Sequence, residues 1–276
     1  MDYLSRAKAF RTKKRLGQNF LVDSTAIDTI INESDIQAED EVFEIGSGLG
    51  FVTEQIAEKA KKVFAVEIDE DAINKLNQLP YENIEIINQD ILKTDLSEFS
   101  EKPMKIIANI PYYITSPILV HLLGELGDFE NKNRKSVKEI ILMVQYEVAK
   151  RIVANNNSQN KEYGTLSILC NYWAKTEIIK KVFAKSFFPK PKVDSALVKL
   201  TVLDEPSVSP KDPKMLRKTV KASFGKRRKT LKNGLLMGGF DKEKIENAFK
   251  KLNIDEKVRG ETLSLQEFSD LSDELS

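Results

Sequence analysis

Val42-Phe43-Glu44-Ile45-Gly46-Ser47-Gly48-Leu49-Gly50 is the stretch on which the fold of this chain turns. Residues suited to a buried strand run directly into glycines at alternate positions, and helical spacing follows through Val52, Ile56 and Ala57. That is a strand, a tight turn and a helix. Glycine is needed in such a turn because it tolerates positive φ and, lacking Cβ, lets a ligand lie against the backbone. The helix behind it points its free N–H groups at whatever covers the turn. A second apolar run, Val63 to Val66, ends in Glu67-Ile68-Asp69. Glu67 is thereby placed at the carboxyl end of the next strand, where a carboxylate can accept hydrogen bonds from both hydroxyls of a ribose.

The spacing Gly-x-Gly-x-Gly differs from the Gly-x-Gly-x-x-Gly of dinucleotide sites. A diphosphate needs the helix N-terminus close by, whereas this tighter turn, with Glu44 in front of it, suits a ligand without phosphate. S-adenosylmethionine is the candidate. By itself the turn is equally the Gly-rich connection of any α/β enzyme; Glu67 and the motifs further along favour the ligand.

A chain of 276 residues accommodates one large domain, or one large and one small. The sequence has no apolar run long enough to cross a bilayer, and its first twenty residues hold six Lys or Arg and one Asp in place of an apolar signal core. A soluble, cytoplasmic protein with no membrane partner is expected. The single cysteine, Cys170, excludes an internal disulfide, and with His121 as the only histidine no metal site is expected. Net charge is +1, so global charge carries no message, but its distribution does. Met1 to Phe20 is basic, Lys211 to Lys232 carries ten Lys or Arg against one acid, and Glu261 to Ser276 holds five acids and no base. Separated basic blocks can form a footprint for a phosphate backbone, or can simply be solvated helix faces.

In chain order, Lys13 to Leu21 is too polar and glycine-broken for a regular element and reads as a loop able to close over a ligand or to pack as an N-terminal arm. Asp23 or Ser24 caps a helix through Ile27, Ile30 and Ile31. A helix from Asp71 to Leu79 leads to a strand Ile84 to Asp90, whose terminal carboxylate suits the amino group of an adenine. The next strand, Lys105 to Ala108, delivers Asn109-Ile110-Pro111-Tyr112-Tyr113 to the same edge. Helices are predicted from Ser116 to Leu123, around Glu147 to Ala154 and from Tyr163 to Tyr172, a strand at Ile140 to Val144, and a polar loop at Asn155 to Asn160. Strand-like segments Glu177 to Phe183 and Ala196 to Val202 flank Ser186 to Ser195. Strands alternating with helices indicate an α/β fold with a mainly parallel sheet and a final pair close enough to be antiparallel, its ligand residues following strand ends. Prolines and serines in Asp204 to Pro213 mark a linker, which divides a catalytic domain (1–205) from a small all-α domain (206–276) with helices over Met215 to Asn233, Lys242 to Lys251 and Ser264 to Leu275.

Asn109-Ile110-Pro111-Tyr112 is the most informative tetrapeptide: alone it can be read as an ordinary strand-ending turn with a buried tyrosine, but its position favours a catalytic reading. The exocyclic amino group of a base is a poor nucleophile because its lone pair is delocalised into the ring. The Asn109 side-chain oxygen and the Ile110 carbonyl can accept its two hydrogens and turn the nitrogen toward a methyl donor. Pro111 has no N–H and shapes a turn that leaves that carbonyl free. Tyr112 would stack on the base, once the base is taken out of its helix or loop. No general base is required, because the proton becomes acidic once the nitrogen is methylated. Phe187 and Phe188 precede a rigid Pro-Lys-Pro-Lys segment; either could complete a base sandwich, and core packing accounts for them equally. His121, Cys170 and Trp173 read as structural.

Gln18 to Leu21, Glu44 to Gly50, Glu67, Asp90, Asn109 to Tyr113 and Phe188 to Ser195 resemble, in order and spacing, the rRNA adenine N6-dimethyltransferases. Asn109 to Ile118, Phe224 to Asn233 and Arg259 to Ser264 look like the bacterial small-subunit branch, the KsgA/RsmA family, and the match covers nearly the whole chain. The resemblance implies a class I S-adenosylmethionine-dependent methyltransferase fold, Rossmann-like with a mostly parallel seven-stranded sheet. It implies dimethylation of two adjacent adenines near the 3′ end of 16S rRNA, on an assembling 30S particle, by a monomer. Carried over by position, Asn19, Leu21, Gly46, Glu67, Asp90 and Asn109 contact the cofactor; Asn109, Ile110 and Tyr112 hold the base; a basic helix with Lys226, Arg227, Arg228 and Lys229 grips rRNA phosphates. The alternatives are the large-subunit adenine methyltransferase of macrolide resistance, against which Arg227 to Leu231 argues, and a non-catalytic RNA-binding assembly factor, against which the intact Glu67, Asp90, Asn109 and Tyr112 argue. A small-molecule methyltransferase would leave the basic blocks unexplained.

Overall fold

The computed structural model describes residues 2–158, 162–226 and 228–276. A short helix not foreseen from the sequence, α1 (Tyr3–Lys8), opens the chain, capped by Asp2, whose carboxylate accepts from the Ser5 N–H at 3.0 Å. The predicted loop follows, but its end is a two-residue strand, β1 (Phe20–Leu21). Helix α2 (Ser24–Glu33) is capped by Asp23, as the sequence suggests, and buries Ala26, Ile27, Ile30 and Ile31 along one side. The alternation of strand and helix then runs β2 (Glu41–Ile45), α3 (Phe51–Ala57), β3 (Lys62–Glu67), α4 (Glu70–Leu76), β4 (Ile84–Asn88) and β5 (Met104–Asn109). After α5 (Thr115–Leu123) and the single-turn α6 (Lys132–Lys135) come β6 (Val137–Gln145), α7 (Tyr146–Val153), α8 (Thr165–Trp173), β7 (Ala174–Val182), β8 (Phe187–Phe188) and β9 (Ser195–Val202). The polar loop expected at Asn155 to Asn160 is described only as far as Ser158, whose N–H closes a turn on the Asn155 carbonyl at 2.9 Å; Gln159, Asn160 and Lys161 lie outside the described residues.

Seven strands form one sheet in the order β4-β3-β2-β5-β6-β9-β7. The pairs β4/β3, β3/β2, β2/β5 and β5/β6 are parallel, and β9 lies antiparallel to β6. This is the Rossmann-like, mostly parallel seven-stranded sheet that the resemblance implies. Phe43, Phe64, Ile106 and Ile140 are fully covered, as a sheet packed on both faces requires. The chain moves outward from β2 in one direction through β3 and β4 and in the other through β5, so the strand order reverses at β2.

At the amino-terminal end of the central strands, buried Asp40 bonds Lys105 (2.8 Å) and Lys138 (2.7 Å), tying the approach to β2 to β5 and β6. Burial pushes its carboxyl up, but the Gln37 N–H and the two lysines more than reverse this and hold it at about 2. His121 is structural, its Nε2 2.8 Å from the Thr94 carbonyl and 2.9 Å from Asn133.

By packing, Leu123–Glu130, Lys150–Lys175 and Leu203–Ser276 form a second unit. Beyond the predicted boundary near residue 205 it contains α9 (Pro213–Phe224), α10 (Leu231–Met237), α11 (Lys242–Lys251) and α12 (Leu265–Glu274), and it also takes in α8 and the Leu123–Glu130 connection. Phe224 packs on Tyr163 and Phe268 at ring-centroid distances of 5.9 and 5.7 Å, and Cys170 and Trp173 are fully buried. Gly234 lets α10 lie against α9: a Cβ there would sit 2.9 Å from the Ala222 carbonyl oxygen.

The single helix expected over Met215 to Asn233 is in fact two. Gly225 ends α9, a turn follows in which the Lys229 N–H bonds the Lys226 carbonyl at 2.8 Å, and Thr230 caps α10. Four successive cations would repel one another in a continuous helix, and Thr230 offers a new start.

Candidate active site

The reversal of strand order at β2 leaves a crevice at the carboxyl ends of the strands, where open α/β sheets take their ligands. A cavity of about 340 Å³ opens there, lined from the tips of β2, β3, β4 and β5 and by residues 16–21. Gly46, Gly48 and Gly50 adopt φ of +75°, +54° and +78°, the left-handed region that the alternating glycines anticipate. At Gly46 the lack of a side chain matters twice, because a Cβ would also stand 3.0 Å from the Asn109 carbonyl oxygen. The glycine turn and the Asn109 corner are thus pressed together on one side of the crevice.

Glu67 is buried and organises the turn. Its carboxylate accepts from the N–H groups of Gly48, Ile68 and Asp69, each at 2.8 Å. Burial pushes its carboxyl up, and those three N–H groups work partly against it. Beneath the turn, Glu44 accepts from Thr53 Oγ1 at 2.5 Å, and its complete burial pushes its carboxyl to about 7. Asp90 lines the far end of the cavity and accepts from the Leu92 N–H at 3.0 Å. Ile68, 54 % exposed, and Leu92 also line the cavity and present apolar surface to it, a placement not read from the sequence. The only signal was position: Ile68 follows Glu67, which ends β3, and Leu92 lies two residues past Asp90, which caps a short turn beyond the end of β4 at Asn88. Among the described residues lining the cavity there is no lysine, arginine or histidine, while Glu44, Glu67 and Asp90 are present. Such a lining repels phosphate and suits a cation.

The N-terminal segment forms the cavity's outer wall. Asn19 Nδ2 donates to the Gly17 carbonyl at 2.9 Å, and Leu21 is buried against the cavity. The segment is strapped down at both ends. Phe20 and Leu21 pair with Phe188 and Phe187, and the Gln18 carboxamide donates to Asp69 at 2.6 Å and accepts from the Lys13 N–H at 2.7 Å. Lys13 also pairs with Asp69 and, at 2.6 Å, with Asp71. Burial pushes the Asp69 carboxyl up, but the Lys13 and Gln18 hydrogen bonds outweigh it and hold the group below its usual value. The sequence placed Asp69 after the strand without indicating this partner set, which depends on contacts across more than fifty residues.

At the other wall, Asn109, Ile110, Pro111 and Tyr112 all line the cavity. Among the described residues the Asn109 carboxamide has no protein partner, which leaves its oxygen available to a ligand. Tyr112 is fixed by a 2.6 Å hydrogen bond between its hydroxyl and Ser195 Oγ at the start of β9. Burial pushes its phenol up, keeping it neutral. Tyr113, 67 % exposed, stands at the rim. Of the two phenylalanines considered for stacking, Phe187 is buried in the core and does not line the cavity, because its pairing with Leu21 turns it inward. Phe188 also lies outside the lining, partly buried beside Phe20. Lys226, Arg228 and Lys229 are exposed in the turn between α9 and α10, a turn and not the expected helix; Arg227 lies outside the described residues.

A family model described as ribosomal RNA adenine dimethylase matches residues 9–276. The chain is 46 % identical over 268 residues to a ribosomal RNA small subunit methyltransferase A of Clostridium botulinum, covering 96 % of this chain and 94 % of that one. It is 43 % identical to the protein of that name from Alkaliphilus metalliredigens, covering 97 % and 93 %. Among solved structures, a dimethyladenosine transferase from Plasmodium falciparum superposes with a TM-score of 0.76 at 27 % identity, covering 90 % of this chain and 94 % of that one. The 23S rRNA methyltransferase ErmE shares the fold, with a TM-score of 0.68 at 24 % identity over 93 % of this chain and 99 % of its own.

Proposed function

This chain belongs to the ribosomal RNA adenine dimethylase family, and from that premise we propose that it dimethylates the N6 amino groups of two adjacent adenines near the 3′ end of 16S rRNA within the assembling 30S subunit. It is an S-adenosylmethionine-dependent methyltransferase. The observation that carries the reading is a cavity lined by the Glu67 and Asp90 carboxyls, with no basic side chain among the described lining residues, ending in a corner that offers an amide oxygen and a peptide carbonyl.

The cavity fits the cofactor on its own terms. Gly46 keeps the turn open where any side chain would strike the Asn109 carbonyl, and the acidic lining favours a ligand with positive charge. Glu67 can take ribose hydroxyls on the lone pairs its three N–H donors leave, and Asp90 with Ile68 and Leu92 would hold the adenine. When bound, the cofactor supplies an electrophilic sulfonium methyl.

This chain's own residues supply the rest. Asn109 and the Ile110 carbonyl accept the amino hydrogens of the target adenine and aim the nitrogen lone pair, converting a loose encounter into an aligned one. Tyr112, held by Ser195, provides the face on which the extruded base stacks. Residues 16–21 wall the crevice on its outer side and would limit the access of water to the bound cofactor.

The test is incubation with labelled cofactor and under-methylated small subunits, followed by mapping of the modified nucleotides. Label on the paired adenines of the small-subunit RNA supports the reading; label on large-subunit RNA, or none, overturns it. Asn109→Ala should lower turnover at least about a hundredfold, the scale of losing one positioned polar group in an active site, while particle binding is largely kept.

A further inference from the structure

Apart from the active-site cavity, an open hollow of about 290 Å³ lies beyond β7, lined by Phe183, Ala184, Lys185, Lys190 and Asp194. Residues 180–194 contain five lysines and one acid. Lys181 bonds Asp194 at 3.0 Å and lies 5.2 Å from the Phe183 ring centroid; Lys185 lies 5.9 Å from the same ring. Lys185, Lys190 and Lys192 are exposed and form no ion pair among the described residues. In the middle of these cations the Phe183 ring is 53 % exposed.

The hollow is wired to the catalytic corner. Asp194 accepts from the Ala184 N–H at 3.0 Å and so fixes the turn that presents Phe183. The next residue, Ser195, is the one that holds the Tyr112 hydroxyl at 2.6 Å. An exposed aromatic face among unpaired lysines, in a hollow whose Asp194 lies one residue along the chain from the serine that holds the stacking tyrosine, has the composition of a single-strand nucleic-acid contact: one ring for a base, cations for the phosphates beside it.

We infer that this hollow is a second RNA subsite, in which Phe183 stacks on an unpaired nucleotide flanking the target adenine while Lys185 and Lys190 contact its phosphates. The inference rests on the rRNA-methylating function proposed above and adds a docking point to it. Charge complementarity commits the surface to an anionic strand. The subsite supplies binding alone, since none of its residues touches the reacting atoms.

Phe183→Ala should raise KM for under-methylated small subunits about tenfold and leave kcat unchanged, the stacking of one base being lost. Lys185→Ala with Lys190→Ala should reduce the slope of log affinity against log salt by about 1.4, two phosphate contacts on a single strand. Phe183→Trp should restore KM and show fluorescence quenching when a short unstructured RNA is added, against the fixed background of buried Trp173. Unchanged KM and salt slope in the first two variants, or a Phe183→Trp signal that responds to anionic vesicles and not to RNA, would overturn the subsite. Failure of the wild type to methylate the particle at all would instead overturn the parent reading.

Discussion

Glu44 shows how far one side chain can be displaced from its solution behaviour by burial under a glycine turn. Its carboxyl, normally near 4.5, is raised to about 7, so the folded protein keeps a proton that the unfolded chain releases. Between those two values the native state binds more protons, and stability falls as pH rises through the window. The fall should amount to about 3 kcal/mol at most, and Glu44→Gln should abolish it while keeping a hydrogen-bond partner for Thr53. Urea midpoints measured from pH 4 to pH 8 would check this: wild type and variant should diverge with rising pH, the variant becoming the more stable. Parallel curves would mean that Glu44 ionises normally. The sequence brought Glu67, Asp90 and Asn109 to one edge, and all three line the cavity, because strand patterns running into polar residues need only local spacing. It was silent on the contacts of Asp69 and Ser195 and on the place of Ile68 and Leu92 in the cavity lining. The partners of Asp69 and Ser195 come from distant segments, and an apolar residue after an acid looks the same whether it lines a cavity or faces solvent.

Among the elements, the least legible was the N-terminal strap. Two-residue strands such as Phe20–Leu21 and Phe187–Phe188 carry no periodicity and exist only because each finds the other. The strap's function is to be tested through Gln18, which bridges Asp69 and the Lys13 backbone without capping any helix. Gln18→Ala should weaken cofactor binding roughly tenfold, the scale of one to two net hydrogen bonds. The thermal midpoint should change little, since Gln18 itself is only half-buried and lies outside the apolar core that Phe20 and Leu21 join. Calorimetry with S-adenosylhomocysteine as the titrant checks it, and undiminished affinity would show that the strap only rests over the cavity. By contrast, the central strands and their helices were legible in kind and order, with ends displaced by up to three residues as at Val137 and Leu76, because buried parallel strands and capped helices announce themselves locally.

For the molecule as a whole, the sequence located the sheet and the trailing helices, but not which earlier segments join the latter. Leu123–Glu130 and α8 belong to the second unit through contacts such as Trp173 Nε1 donating to the Glu125 carbonyl at 3.1 Å, which no window of sequence contains. The basic block within that unit is resolved into paired and unpaired charge. Lys232 is held by Glu246 at 2.9 Å and Glu256 at 3.0 Å, and Arg217 pairs with Glu125. Lys226, Arg228 and Lys229 are exposed in their turn and have no ion-pair partner among the described residues. Charges already neutralised release few counterions on meeting RNA, so within this block salt-dependent binding draws on cations without an ion pair, those of the turn among them. Replacing Lys226, Arg228 and Lys229 together by alanine should therefore weaken binding to under-methylated small subunits. It should also flatten the slope of log affinity against log salt by about 2 to 3, while leaving S-adenosylhomocysteine affinity unchanged because none of the three lines the cavity. Replacing Lys232 alone should leave the slope close to wild type. If the triple variant keeps the wild-type slope, the α9–α10 turn lies outside the RNA interface and the solvated-face reading of this block is the right one.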